Sequence, residues 1–186
     1  MPTWPAHTQD NLIYLLDHLD NFQHTFSQGG GETGKPEERY VVTVQFTDHC
    51  FTAGSGARDD TSATVLYAAQ VSRGERRFFS LRRYDLSQQL PEMVRGLMSR
   101  RCFFTQGNQY FIFDLVDENG HLVEYEMYFD VFKHGKRLVL SIETAFPRDP
   151  SRLASRPQLV PMNFASLLHA VQQGKNLRKP KQGRKT

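Results

Sequence analysis

Residues 109–146 read QYFIFDLVDENGHLVEYEMYFDVFKHGKRLVLSIETAF, and this stretch decides the fold. Asn119-Gly120 is a favoured two-residue hairpin turn and His134-Gly135 is a second, because glycine takes the positive φ such turns need. Together they predict a three-strand antiparallel meander whose side chains alternate between two faces. In the register these turns set, Val123, Tyr125, Met127, Phe129 and Val131 share one face with Leu138, Leu140, Ile142, Thr144 and Phe146. Tyr110, Ile112 and Val116 join them from the first strand, making the core face. The other face presents Glu124, Glu126, Tyr128 and Asp130, flanked by Arg137, Val139, Ser141 and Glu143 and by Gln109, Phe111, Phe113 and Leu115.

Upstream, Leu86, Leu90, Met93, Val94, Leu97 and Met98 form a helical stripe over 84–101, with Ser87 as N-cap and Pro91 near the first turn. This helix is expected to cover the meander. The valine-rich segment 40–46 predicts a strand, and 64–71 and 76–81 predict two more. At the N-terminus, Leu12, Leu15, Leu16, Leu19, Phe22 and Phe26 recur at helical spacing, with Asp10 as a candidate cap. A short helix over 163–173 ends at Gly174. The expected class is therefore α+β: an antiparallel β-meander packed by a central helix, with extra N- and C-terminal helices. The expected plan is an N-terminal helix over 1–28, a flexible linker over 29–39, one α+β domain over 40–174 and a disordered basic tail over 175–186.

Composition narrows the function classes. Of 186 residues, 39% are hydrophobic and 12% aromatic, enough for a core and too apolar for a wholly disordered chain. No apolar run approaches the ~18 residues of a membrane span, and no signal segment opens the chain. Two cysteines, Cys50 and Cys102, are too few for a disulfide scaffold and read as buried small residues. No Cys-x-x-Cys or His-x-x-x-His spacing supports zinc, and the glycine-rich segments lack a phosphate loop's Gly-Lys-Ser/Thr ending. The expectation is a cytoplasmic protein with no metal, no cofactor and no membrane contact.

Charge is polarised along the chain. The net charge is +3, from 23 Lys and Arg against 20 Asp and Glu. Residues 175–186 hold six basic groups, among them Lys179, Lys181, Arg184 and Lys185, and no acid, so the rest carries −3. Within that rest, 73–101 has eight arginines against three acids. Arginine offers a planar fork suited to phosphate and to stacking on bases. Arg76, Arg77, Arg82, Arg83 and Arg148 are accordingly candidate nucleic-acid contacts, together with the tail.

On the polar face, the expected register sets Glu126 directly across from Glu143. Like charges so paired are unfavourable, so either a cation lies over them or one carboxyl keeps its proton and can serve as acid and base. His49, in a loop between Asp48 and Cys50, is either a third proton-transfer group or a surface residue. Asp48 and His49 are adjacent, so their side chains are expected to diverge.

The segment Leu138-Val139-Leu140-Ser141-Ile142-Glu143-Thr144-Ala145-Phe146-Pro147 resembles the closing strand of ribonuclease toxins of the barnase–EndoU–colicin–RelE class. The likeness spans roughly 77–148. It implies that Thr144 and Arg83 contact RNA while a Glu or His moves protons during 2′-hydroxyl attack, although Thr144 falls on the expected core face. The whole chain also resembles small proteins of bacterial mobile elements. Two functions follow. One is a nucleic-acid-associated module, with RNA as the expected ligand, or a partner-binding module. It would use the arginine-rich helix, Phe111, Phe113 and the tail for nucleic acid, or the acidic face for a basic protein. The other is a metal-independent endoribonuclease, with Arg82, Arg83 and Arg148 on phosphates and Glu126, Glu143 or His49 as proton carriers.

Overall fold

The computed structural model describes residues 3–29, 36–55, 65–67, 76–104, 109–116, 120–148 and 160–175, with backbone alone for 109–116. The chain begins with two short strands, β1 (His7–Gln9) and β2 (Leu12–Tyr14), which pair antiparallel. Asp10 and Asn11 join them with φ of 52° and 62°, the left-handed pair that a tight hairpin turn demands. A 3-10 turn over Asp17–Leu19 leads to β3 (Phe22–Gln28). The expected N-terminal helix is therefore absent. Its apparent helical stripe divides between hairpin positions left exposed (Leu12, Leu15) and buried ones in or beside the turn (Leu16, Leu19).

β4 (Glu38–Phe46) returns antiparallel to β3 and runs into a 3-10 turn over Asp48–Cys50. β5 (Thr52–Gly54) pairs with β6 (Arg77–Phe79), to which Leu66 adds a single bridge. The strand expected over 64–71 otherwise lies outside the described residues. Where one long helix was expected there are two short ones, α1 (Leu81–Ser87) and α2 (Leu90–Arg95), followed by a 3-10 turn over Leu97–Ser99. Ser80, not Ser87, caps α1, its hydroxyl accepting from the Arg83 amide. Pro91, in the first turn of α2, has no N–H for the Ser87 carbonyl, so the helical ladder restarts there.

β7 (Cys102–Phe104), β8 (Gln109–Val116), β9 (Leu122–His134), β10 (Arg137–Pro147) and β11 (Val160–Met162) complete the strands, and α3 (Phe164–Gln172) follows. The main sheet has seven strands in the order β11-β7-β8-β9-β10-β4-β3, antiparallel except for the β10–β4 pair. The expected fold class is thus corrected. Eleven strands in one large mixed sheet and two small ones outweigh three short helices among the described residues, and no central helix is packed by the meander. β8, β9 and β10 do pair antiparallel in chain order. α3 packs on β9 and β10, where the Phe164 ring meets Phe26 at 5.0 Å and Phe129 at 5.8 Å, edge to face. Burying rings of this kind contributes roughly 1.5–3 kcal/mol each.

The register departs from expectation three times. His134 pairs with Arg137, so Gly135 and Lys136 form the two-residue loop, and Gly135 takes φ of 62° at its first position. A β-bulge then inserts Glu143 between the pairs Ile142–Phe129 and Thr144–Tyr128. Beyond it the faces exchange: Ala145 is buried in the core, while Thr144 and Phe146 move to the outer face. On β8, Val116 pairs with Leu122, one residue from the expected alignment, and every position changes face. Phe111 and Phe113 thus stand opposite Met127 and Tyr125 of the core face, and Tyr110 and Ile112 opposite Tyr128 and Glu126.

Candidate functional site

The two ends of the β9–β10 pair hold charge in different ways. At the end where β9 begins and β10 finishes, Glu126 lies opposite Phe146, not Glu143. Glu126 is 7% exposed, and both its oxygens are occupied: Arg148 Nη1 donates to Oε1 at 2.8 Å and the Tyr128 hydroxyl donates to Oε2 at 2.9 Å. Arg148 Nε also lies 3.7 Å from Glu124 Oε2, and its amide donates to the Glu124 carbonyl at 2.7 Å. The expected carboxylate pair is therefore replaced by two glutamates sharing one nearly buried arginine, an arrangement stable only while all partners are present.

The other arginines of this end are also committed to the fold. Arg83, 6% exposed, donates through Nη1 to the carbonyls of His49 (3.0 Å) and Thr52 (2.8 Å). Its guanidinium stands 5.4 Å from the centre of the Phe146 ring, which in turn stacks on Tyr128. Arg77, 7% exposed, donates to the Thr52 hydroxyl at 3.0 Å and to its carbonyl at 2.8 Å. Both residues brace the turn after β4. Arg76 is exposed and Arg82 half-buried. Lys179, Lys181, Arg184 and Lys185 lie outside the described residues.

His49 lies in the turn after β4, and Glu143 sits at the bulge of the adjacent β10. The Thr47 hydroxyl donates to the Glu143 carbonyl at 2.6 Å, and His49 sits two residues further along. The His49 ring does not diverge from Asp48: its Nε2 is 3.8 Å from Oδ1 of that buried carboxylate. Asp130, absent from the sequence-derived candidates, has its carboxyl lifted above the ordinary range, first by burial and then by the Glu143 charge, against a hydrogen bond from the Val131 amide. Burial pushes the thiols of Cys50 and Cys102 up to about 12, so neither is poised as a nucleophile at neutral pH. Among the described residues no three His, Cys, Asp or Glu side chains gather as metal ligands.

At the opposite end, Phe132, Lys133, His134, Lys136 and Arg137 surround the β9–β10 turn and are all exposed. β3 ends and β4 begins at the same end, because Leu138 of β10 runs parallel beside Val42 of β4. α3 finishes there too, with Lys133 Nζ donating to the Gln172 carbonyl at 3.1 Å. Exposed Lys175, whose amide donates to the Ala170 carbonyl, opens the basic tail at this point. The sequence carries this patch as Lys133-His134-Gly135-Lys136-Arg137, a run less dense in arginine than 73–101.

Beside this tip lies an open groove of about 450 Å³ between α3 and the β3–β4 end, its floor apolar and its rim carrying polar side chains. It is lined by Gln28, Glu38, Ser166, His169, Gln173 and Lys175 over Ala165 and Ala170. The buried Tyr40 hydroxyl donates to Glu38 Oε2, and His169 Nδ1 lies 3.4 Å from that hydroxyl and 3.6 Å from the same carboxylate oxygen. Burial and the Glu38 bond together push the Tyr40 phenol up to about 12.

Among the described residues no helix is long and apolar enough to cross a membrane. Searches of curated proteins and of solved structures find no significant match. The model of the YjaZ family matches residues 6–172, nearly the whole of this architecture from β1 to the last turn of α3, and the chain belongs to that family.

Proposed function

We propose that the chain is a nucleic-acid-binding module that holds single-stranded RNA at the tip end of its sheet without cutting it. The observation that carries this reading is the Lys133–Gln172 hydrogen bond, which ties the basic hairpin to the end of α3 where the basic tail departs. Exposed Lys133, Lys136, Arg137 and Lys175 then act together with the tail's Arg178, Lys179, Lys181, Arg184 and Lys185. A concentrated basic surface gains affinity by releasing the counterions condensed on phosphates. Phe132, 36% exposed beside the turn, adds an aromatic surface on which a base can stack. The likeness to proteins of bacterial mobile elements supplies a setting rich in nucleic acid.

The ribonuclease reading is weaker because its phosphate-holding and proton-carrying residues already have structural duties. Arg148 is bound to Glu126, and Arg83 to backbone carbonyls. A single experiment separates the two readings: the protein is mixed with single-stranded RNA in EDTA at low salt, and shift and integrity are read on the same gel. The binding module predicts a shifted, full-length RNA. An unshifted, intact RNA would overturn it, and EDTA-resistant cleavage would replace it with the nuclease.

A further inference from the structure

We infer that the groove between α3 and the β3–β4 end seats one unpaired ribonucleotide, with Glu38 accepting a hydrogen bond from the ribose 2′-hydroxyl; this rests on the RNA-binding reading above. The volume of about 450 Å³ falls within the roughly 300–1,000 Å³ of sites that enclose small ligands. Its position is continuous with the basic tip, because Lys175 lines the groove and Gln172, one turn end away, accepts from Lys133.

The lining chemistry selects among ligands. Gln28 and Gln173 each offer a carboxamide with donors and an acceptor, and Ser166 offers a hydroxyl of either sense. Such neutral, two-way groups suit the edge of a base, which carries donors and acceptors side by side. Lys175 supplies one cation, enough for a single phosphate. His169 is held along its Nδ1 edge by Glu38 and the Tyr40 hydroxyl, which leaves a ring face for stacking, a role histidine takes with unstacked bases.

Glu38 is the informative residue. A carboxylate in a basic surface repels phosphate and is out of place in a site built for the backbone alone. It is also oriented from within, since the buried Tyr40 hydroxyl occupies one of its oxygens. An oriented acceptor beside a base-sized groove matches the donor that RNA has and DNA lacks. The acid would then discriminate sugars at the site where the lysines hold phosphate.

The test measures anisotropy of labelled ten-nucleotide single-stranded RNA, DNA of the same sequence and an RNA duplex. The proteins are the full chain, a Gln28→Ala/Gln173→Ala double variant and Glu38→Gln, each checked for an unchanged thermal midpoint. The double variant should lose about tenfold in affinity for single-stranded RNA, the effect of one stacked or hydrogen-bonded base, and nothing for the duplex. Glu38→Gln should bring the RNA-to-DNA ratio close to one, and Ser166→Ala, on the exposed side of α3, should weaken single-strand binding if the Glu38 variant is unstable. Unchanged affinities and ratio in these variants, alongside a loss on charge reversal at Lys136 and Arg137, would overturn the groove while the RNA-binding reading stands. A full chain that binds none of the three probes would overturn both.

Discussion

The two ends of the β9–β10 ribbon differ in how they treat positive charge. At one end Arg83 and Arg148 are nearly buried, Arg83 donating to backbone carbonyls and Arg148 to a buried carboxylate. At the other end Lys133, Lys136 and Arg137 stand in water around a two-residue turn. Arginine suits the first environment because its planar, weakly hydrated fork satisfies several acceptors at once. A count of basic residues favours the arginine-rich segment, yet what is available to a ligand is decided by burial. The difference teaches that the buried end maintains the fold, while the exposed end keeps its basic side chains at the surface.

Substitutions at the two ends should therefore separate stability from affinity. The largest effect is expected from Arg148→Ala. It takes the charged partner from buried Glu126, which keeps the Tyr128 hydroxyl, and removes an ion-pair partner of Glu124, and breaking a buried pair costs about 3–5 kcal/mol. Urea unfolding reads this directly, and a loss below about 1 kcal/mol would show that the pair is relaxed by solvent. Lys136→Glu with Arg137→Glu should do the reverse, weakening RNA binding at least about tenfold while leaving the unfolding midpoint in place.

A smaller effect separates the N-terminal elements by pH. His7, His18 and His24 all have pKa values lowered chiefly by burial, and the His18 ring is hydrogen-bonded with Ser87 across 2.8 Å. The unfolded chain thus binds protons more readily than the folded one below about 6.5. Stability from this source is complete above that pH and is lost as pH falls below it. Melting temperature should fall between pH 7 and 5, and His18→Gln should flatten the fall. Least of all, Asp130→Asn should leave the melting temperature at pH 7 unchanged or slightly higher, because the native site disfavours the ionised carboxylate that the substitution removes. A clear drop would assign Asp130 a partner that its charge stabilises.

Much of the meander was legible, since alternation over 122–146 and the glycine turns mark three paired strands. Its register was not. Gly135, the residue able to take positive φ without strain, sits first in the loop, which moves the pairing by two residues. The bulge at Glu143 carries no glycine or turn residue to announce it, and it alone exchanges the faces of Thr144 and Phe146. The N-terminal strands were hidden by leucines at helical spacing, although Asp10-Asn11 was a readable turn. Burial of Arg77 and Arg83 was not readable, because the acceptors that fix them are backbone carbonyls and a hydroxyl of the distant residues His49 and Thr52.

The most direct test of the two-ended account is the salt dependence of binding to single-stranded RNA, measured for the full chain and for a Lys133→Glu/Lys136→Glu/Arg137→Glu variant. Each phosphate contact removed should lower the log–log slope by about 0.7, so the variant should lose about two units, and Arg76→Glu with Arg82→Glu should change the slope little. An unchanged slope in the tip variant, with the slope lost instead in the Arg76/Arg82 variant, would contradict the account.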